Sequence, residues 1–242
     1  MFLNDSPHRS RTWAMAVLCL TQLMVILDGT IVNVALPAIR RDLGFSGAGL
    51  SWVVNAFFVS FAGLLLLAGR LGDLVGTRRV FLSGVVVFTA ASLACGLAWN
   101  PTSLVVARAV QGVGGALASA VVLGLIVRLY PEPAARTRAF AVFAFVGSAG
   151  ASVGVVAGGL LVSLTSWHWV FLVNLPIGVV ALLAAVRFLE DDHGPGPRAG
   201  LDVAGAALAT SGLMLAVLGV TRVPDHGWIS VTSSGSMLVA AA

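Results

Sequence analysis

Apolar residues in this chain come in long unbroken runs, not in the alternation of a half-buried strand or the one-sided stripe of a surface helix. Seven runs, at residues 13–36, 50–68, 80–98, 103–127, 139–164, 169–188 and 201–221, reach the roughly 20 residues that a helix needs to cross a bilayer core. An eighth begins near Ile229 and runs to Ala242 without the length to cross. The breaks are short and rich in turn formers: DLGFSGAG, GRLGDLVGTRR, WNPT, RLYPEPAARTR, TSWHW, EDDHGPGPRAG and RVPDHG. None could hold a folded soluble domain. The pattern predicts an all-α, polytopic membrane protein.

Composition agrees and adds a topology. The chain is 58% hydrophobic and 10% charged, with a mean hydropathy of +0.99, whereas soluble domains carry about a quarter charged residues. All 14 basic residues are Arg. A pI of about 10.4 does not mark a nucleic-acid partner here, because the arginines are scattered over short breaks with no basic face or stacking platform. They mark orientation instead. With a cytoplasmic N-terminus, Arg9, Arg11, Arg70, Arg78, Arg79, Arg128, Arg136, Arg138, Arg187 and Arg198 lie inside, and only Arg40, Arg41 and Arg222 outside. Trp13, Trp52, Trp99, Trp167, Trp169 and Trp228 lie near run ends, as interfacial anchors do. The first run follows Arg9 and Arg11 but lacks an A-x-A cleavage site and exceeds a signal core, so it reads as a retained span. Cys19 and Cys95 lie in apolar runs and read as small buried hydrophobes. No metal-ligand cluster is visible, and no Gly-rich nucleotide loop with Lys, because the chain has no Lys. The expectation is a protein that is not an enzyme, takes no metal or cofactor, and is not driven by ATP.

Two charges interrupt the apolar pattern at depth. Asp28 sits in MVILDGTIVNVALP, five residues before Asn33. An isolated carboxylate there costs about 2.5–3.5 kcal/mol on insertion scales. Arg108 is the arginine well inside a run. At about 1.5 Å per residue, Asp28 lies roughly 21 Å and Arg108 roughly 22 Å from the inner boundary of the bilayer. One reading is a carboxylate beside a guanidinium, facing a cavity, that takes up and releases protons as its surroundings change. The other is a static ion pair, or two side chains that snorkel apart. Asn33 and Gln111 either line the cavity as hydrogen-bonding groups or satisfy a neighbour.

Five stretches in order carry a resemblance. LDGTIVNVALP resembles the helix 1 signature of the fourteen-helix drug:proton antiporters of the major facilitator superfamily. GRLGDLVGTRR, residues 69–79, resembles the superfamily's loop between helices 2 and 3. RAVQGVGGA, residues 108–116, resembles its helix 4 motif, and GSAGASVGVVAGG, residues 147–159, the antiporter motif of helix 5. WHWVFLVNLPIG, residues 167–178, is similar to the start of helix 6 in that branch, with His168 where the branch often has Arg. The resemblance implies a six-helix N-terminal bundle over residues 1–188. A cytoplasmic linker, a seventh helix and the truncated start of an eighth follow over 189–242.

The resemblance also implies roles. Asp28 and Arg108 would couple to protons, and Asn33 and Gln111 would belong to the substrate cavity. Gly69 and Gly76 would give the gating loop its tight turns, with Asp73 pairing with Arg78 and Arg79 across helix ends to hold the cytoplasmic side closed. Gly150, Gly154 and Gly158, four residues apart and followed by Gly159, would form a flat packing stripe between the two halves of a transporter. The implied activity is proton-coupled efflux of hydrophobic or cationic small molecules such as drugs across the cell membrane. The chain would be half of a complete antiporter that needs a missing C-terminal half or a second chain. Two further readings remain: a non-transporting membrane protein that assembles with another transporter chain, and an exporter of a different small solute.

Overall fold

The run that opens at residue 13 becomes a single helix, α1 (Pro7–Leu43), in the computed structural model, which describes residues 7–192, 194, 205, 208, 210–217 and 219. A short turn of helix, α2 (Gly47–Leu50), leads into α3 (Trp52–Val75) and α4 (Thr77–Gly96). The fourth run is α5 (Pro101–Ala120) and α6 (Val122–Leu129), interrupted at Val121. Then come α7 (Pro133–Leu164), α8 (His168–Leu172) and α9 (Asn174–Phe188). Among the described residues six stretches are long and apolar enough to cross a membrane: Ser10–Leu43, Trp52–Val75, Thr77–Gly96, Pro101–Leu129, Pro133–Leu164 and His168–Phe188. Of the seventh expected span, residues 210–217 are helical. The eighth, from Ile229, lies outside the described residues.

Local chemistry sets the ends. Asn100 caps α5 by accepting from the Ser103 amide at 2.8 Å, while the Ser103 hydroxyl accepts from the Asn100 amide at 3.2 Å and Pro101 fills the first helical position. The α8–α9 break at Val173 follows from Pro176, which has no N–H to offer the Leu172 carbonyl one turn back. Pro37 inside α1 frees the Asn33 carbonyl in the same way.

The bundle is drawn together where side chains are missing. α4 and α5 cross where a Cβ on Gly84 would strike the Ala118 backbone and one on Gly114 would strike the Phe88 backbone. Gly112 does the same against the Phe57 carbonyl, and so seats α5 on α3. Three glycines of the stripe on α7 pack against α1 within the bundle. Gly150 faces Leu23, Gly154 faces Thr30 and Gly158 faces Ile31, all on α1, whereas a Cβ on Gly159 would meet nothing within 4 Å. The flat face lets α1 and α7 touch. Large apolar side chains cover the outside instead, with Phe145 73%, Leu164 78% and Leu183 66% exposed, as a lipid-facing surface requires.

Candidate functional site

Asp28 and Arg108 meet. The Arg108 Nη1 donates to Asp28 Oδ2 at 2.5 Å, and both residues are fully buried. Equal depth on α1 and α5 and the close α3–α5 crossing at Gly112 bring them together. Arg108 Nε donates to the Val53 carbonyl at 2.9 Å, and Nη1 also reaches Gln111 Oε1 at 2.6 Å. The guanidinium lies over the Phe57 ring, 4.5 Å from its centroid, and 5.7 Å from that of Phe171, a cation–π setting strengthened by desolvation.

The carboxylate has two more donors. Gln111 Nε2 donates to Asp28 Oδ1 at 2.7 Å and to the Ser92 hydroxyl at 2.8 Å. Asn174 Nδ2 donates to Asp28 Oδ1 at 2.9 Å. Ser92, Gln111 and Asn174 are themselves fully buried. A buried charge is tolerable only when paired and hydrogen-bonded, and here α1, α4, α5 and α9 all supply atoms. Ser92 and Asn174 are the two members that sequence reasoning missed. The signal was present, since each is a polar residue inside an apolar run, and Asn174 stands in the quoted helix 6 motif.

The cluster does not face the cavity directly, contrary to expectation. A cavity of about 950 Å³ opens on one side of the bundle, lined by α1, α3 and α7 among others. Asn33, Gly69 and Asp73 line it, but Asp28, Arg108 and Gln111 do not. Gly29 and Val25, beside Asp28 on α1, reach its wall, as does Phe57. The Phe57 ring thus separates the cavity from the guanidinium. Asn33 spends its amide N–H on the Gly29 carbonyl at 2.8 Å, with its side chain exposed. Gln111 belongs to the ion pair because helical spacing sets it one turn from Arg108 on the same buried face.

The gating loop is also wired differently from the expected pairing. Gly76 turns the chain with φ +112°, a conformation that suits glycine. Arg78 pairs with Asp191 at 3.2 Å and donates to the Val186 carbonyl at 2.9 Å. Asp73 and Arg79 are exposed and have no ion-pair partner among the described residues. Asp192 makes the helix-end contacts that were expected of Asp73. It accepts from the Thr77 amide at 2.7 Å, the Thr77 hydroxyl at 2.6 Å and the Arg78 amide at 2.9 Å, and pairs with Arg128. An acid at a helix N-terminus is favoured by the free amides there. Burial would push the Asp192 carboxyl up, but the Thr77 hydroxyl, the two amides and Arg128 together pull it down from 3.8 to about 2. The acidic EDD beside a basic loop was the available signal.

Comparison with known proteins agrees with this architecture. The model of the Major Facilitator Superfamily matches residues 18–242. The chain is 42% identical over 240 residues to the cephamycin export protein CmcT of Amycolatopsis lactamdurans, covering 97% of this chain and 49% of that protein. It is 42% identical over 224 residues to the puromycin resistance protein pur8 of Streptomyces alboniger, covering 93% and 44%. The chain thus spans about half the length of the curated relatives it matches. The crystal structure of a peptide transporter POT in complex with sulfate superposes with a TM-score of 0.68 at 17% identity, over 95% of this chain and 49% of that one, which speaks for the fold alone. With six membrane-length helices, a family match over nearly its whole length and these relatives, the chain belongs to the major facilitator superfamily as a multi-pass membrane protein.

Proposed function

We propose that this chain is the N-terminal half of an exporter that moves hydrophobic or cationic small molecules out of the cell in exchange for protons. Residues 1–188 form its first bundle, and 189–242 lead towards a second. The observation that carries the reading is the fully buried Asp28, held by donors from Arg108, Gln111 and Asn174 and separated from an open cavity by one aromatic ring. An ionisable group at such depth is functional by default. The relatives named for export and resistance support the cargo class.

In this mechanism the charged carboxylate ties α1 to α5 and α9. Protonation from the outside weakens the tie to Arg108, the bundle rocks against the second half, and the proton leaves to the cytoplasm. Cargo in the cavity presses on Phe57, whose ring backs the guanidinium. Asn33 offers a polar contact in the cavity wall, and Gln111 supports the pair. Gly69, Asp73, Gly76, Arg78 and Arg79 form the cytoplasmic gate, with Asp73 on the cavity side facing the second half. Arginine placement supports a cytoplasmic N-terminus.

The test uses inside-out vesicles carrying the full-length protein and a fluorescent lipophilic cation. A pH gradient should drive dye uptake into the lumen, and Asp28→Asn should abolish it while the protein remains in the membrane. Uptake that persists in Asp28→Asn rejects Asp28 as the proton site. A blot with antibody to EDDHGPGPRAG, showing a product at 24.8 kDa and no larger one, rejects the half-transporter reading unless a second chain co-purifies.

A further inference from the structure

We propose that Asn174 is a positioning residue for the proton on Asp28: its amide turns over when the carboxylate is protonated, exchanging a donor for an acceptor. The inference rests on Asp28 being the proton site.

The reason lies in the balance of donors and acceptors. Asp28 Oδ2 accepts from Arg108, and Oδ1 accepts from Gln111 and Asn174. Every neighbour donates, which suits a carboxylate. When a proton adds to one oxygen, that oxygen becomes an O–H donor and needs an acceptor. Gln111 Oε1 already receives Arg108 Nη1 and the Cys95 thiol. The Ser92 hydroxyl receives Gln111 and donates to the Phe88 carbonyl, and the Val53 carbonyl receives Arg108 Nε. Asn174 Oδ1 is different: it has no hydrogen-bond partner among the described residues, although the residue is fully buried. Such an orphan acceptor costs stability. Amide oxygen and nitrogen sit at equivalent ends of one planar group. A half-turn therefore brings Oδ1 to the place of Nδ2, 2.9 Å from Asp28 Oδ1, where it accepts the new O–H.

Only the Asp28 proton is gained or lost; Arg108 stays charged throughout. Among the described residues, the titratable groups facing Asp28 are Arg108 from α5 and, through Gln111, Cys95 from α4. The Val53 carbonyl on α3, Phe171 on α8, Asn174 on α9 and the glycines of α7 carry no proton of their own to exchange.

Infrared difference spectra of the full-length protein in lipid, recorded across pH, give the test. The carbonyl stretch of protonated Asp28 is identified by its loss in Asp28→Asn. The Asn174 amide carbonyl stretch, identified by its loss in Asn174→Leu, should move to lower frequency when Asp28 is protonated, because Oδ1 goes from unbonded to accepting the new O–H. The Asp28 protonation midpoint of Asn174→Ser, whose hydroxyl can donate or accept, should stay within about half a unit of the parent's. The helix amide band in the same spectra reports that each variant is folded. An Asn174 amide band that stays in place when Asp28 is protonated marks Asn174 as a plain donor and overturns the proposal, as does a serine variant whose midpoint departs from the parent's by about one unit or more. An Asp28 band that never appears in the parent overturns this proposal together with the proton site itself.

Discussion

Arg108 answers three acceptors at once, the Val53 carbonyl, Asp28 and Gln111, so its loss should be severe. Arg108→Met strands a buried carboxylate, and removing one partner of such a pair costs about 3–5 kcal/mol. Thermal unfolding of detergent-purified protein should show this as a sharp drop in Tm. The double variant Asp28→Asn/Arg108→Met should lose less than the sum of its singles, because it leaves no unpaired charge. Asp192 makes a different prediction. Its carboxyl is held below the unfolded value of 3.8, at about 2. Its contribution is therefore full above about 3.8 and is lost as pH falls through about 2. Hydrogen exchange at the Thr77 and Arg78 amides should quicken over that acid range, and in Asp192→Asn it should already be fast at neutral pH. Asp28 and Arg108 were legible in the sequence because charges are rare in lipid-length runs. Ser92 and Asn174 were not, because lone neutral polar residues in such runs are common and only the folded chain shows Asn174 reaching the Asp28 carboxylate directly and Ser92 reaching it through Gln111. The choice of Asp192 over Asp73 was hidden for a related reason: it depends on where the chain after α9 returns.

Between elements, contact is set by absent side chains. Gly114→Ala pushes a methyl into the Phe88 backbone on α4, and backbone cannot step aside. Overpacking of this kind costs about 1–3 kcal/mol. Gly159→Ala meets open space and should be neutral, or stabilising by roughly 0.5–1 kcal/mol through the usual helix preference for Ala. Denaturation curves of the two variants, measured side by side, separate them. The six crossings were readable because apolar length is a strong signal. Their ends were less so: the third run was expected to start at residue 80, yet α4 starts at Thr77, because Asp192 from a distant segment caps it. The stripe on α7 shows the same limit. Four-residue glycine spacing announces a close neighbour but does not say which, and here the neighbour is α1.

At the scale of the molecule, orientation can be checked directly. With a cytoplasmic N-terminus, Trp99, 78% exposed at the end of α4, faces outward, and Arg136 near the start of α7 faces inward. An impermeant maleimide applied to intact cells should label Trp99→Cys and spare Arg136→Cys; the reverse pattern would invert the topology. Native Cys95 is fully buried and should stay silent. The Asp28–Arg108 pair has one more consequence, electrical in kind. Charged carboxylate and guanidinium together sum to zero, while the protonated cluster carries one net positive charge. A cycle that takes one proton inward through this site and a neutral cargo outward moves charge across the membrane, and the membrane potential then contributes about 2.3 kcal/mol per 100 mV. With a monovalent cation as cargo, the two movements cancel and only the pH difference drives export. In such a cycle, whether voltage alone can power transport is thus decided by the charge of the cargo.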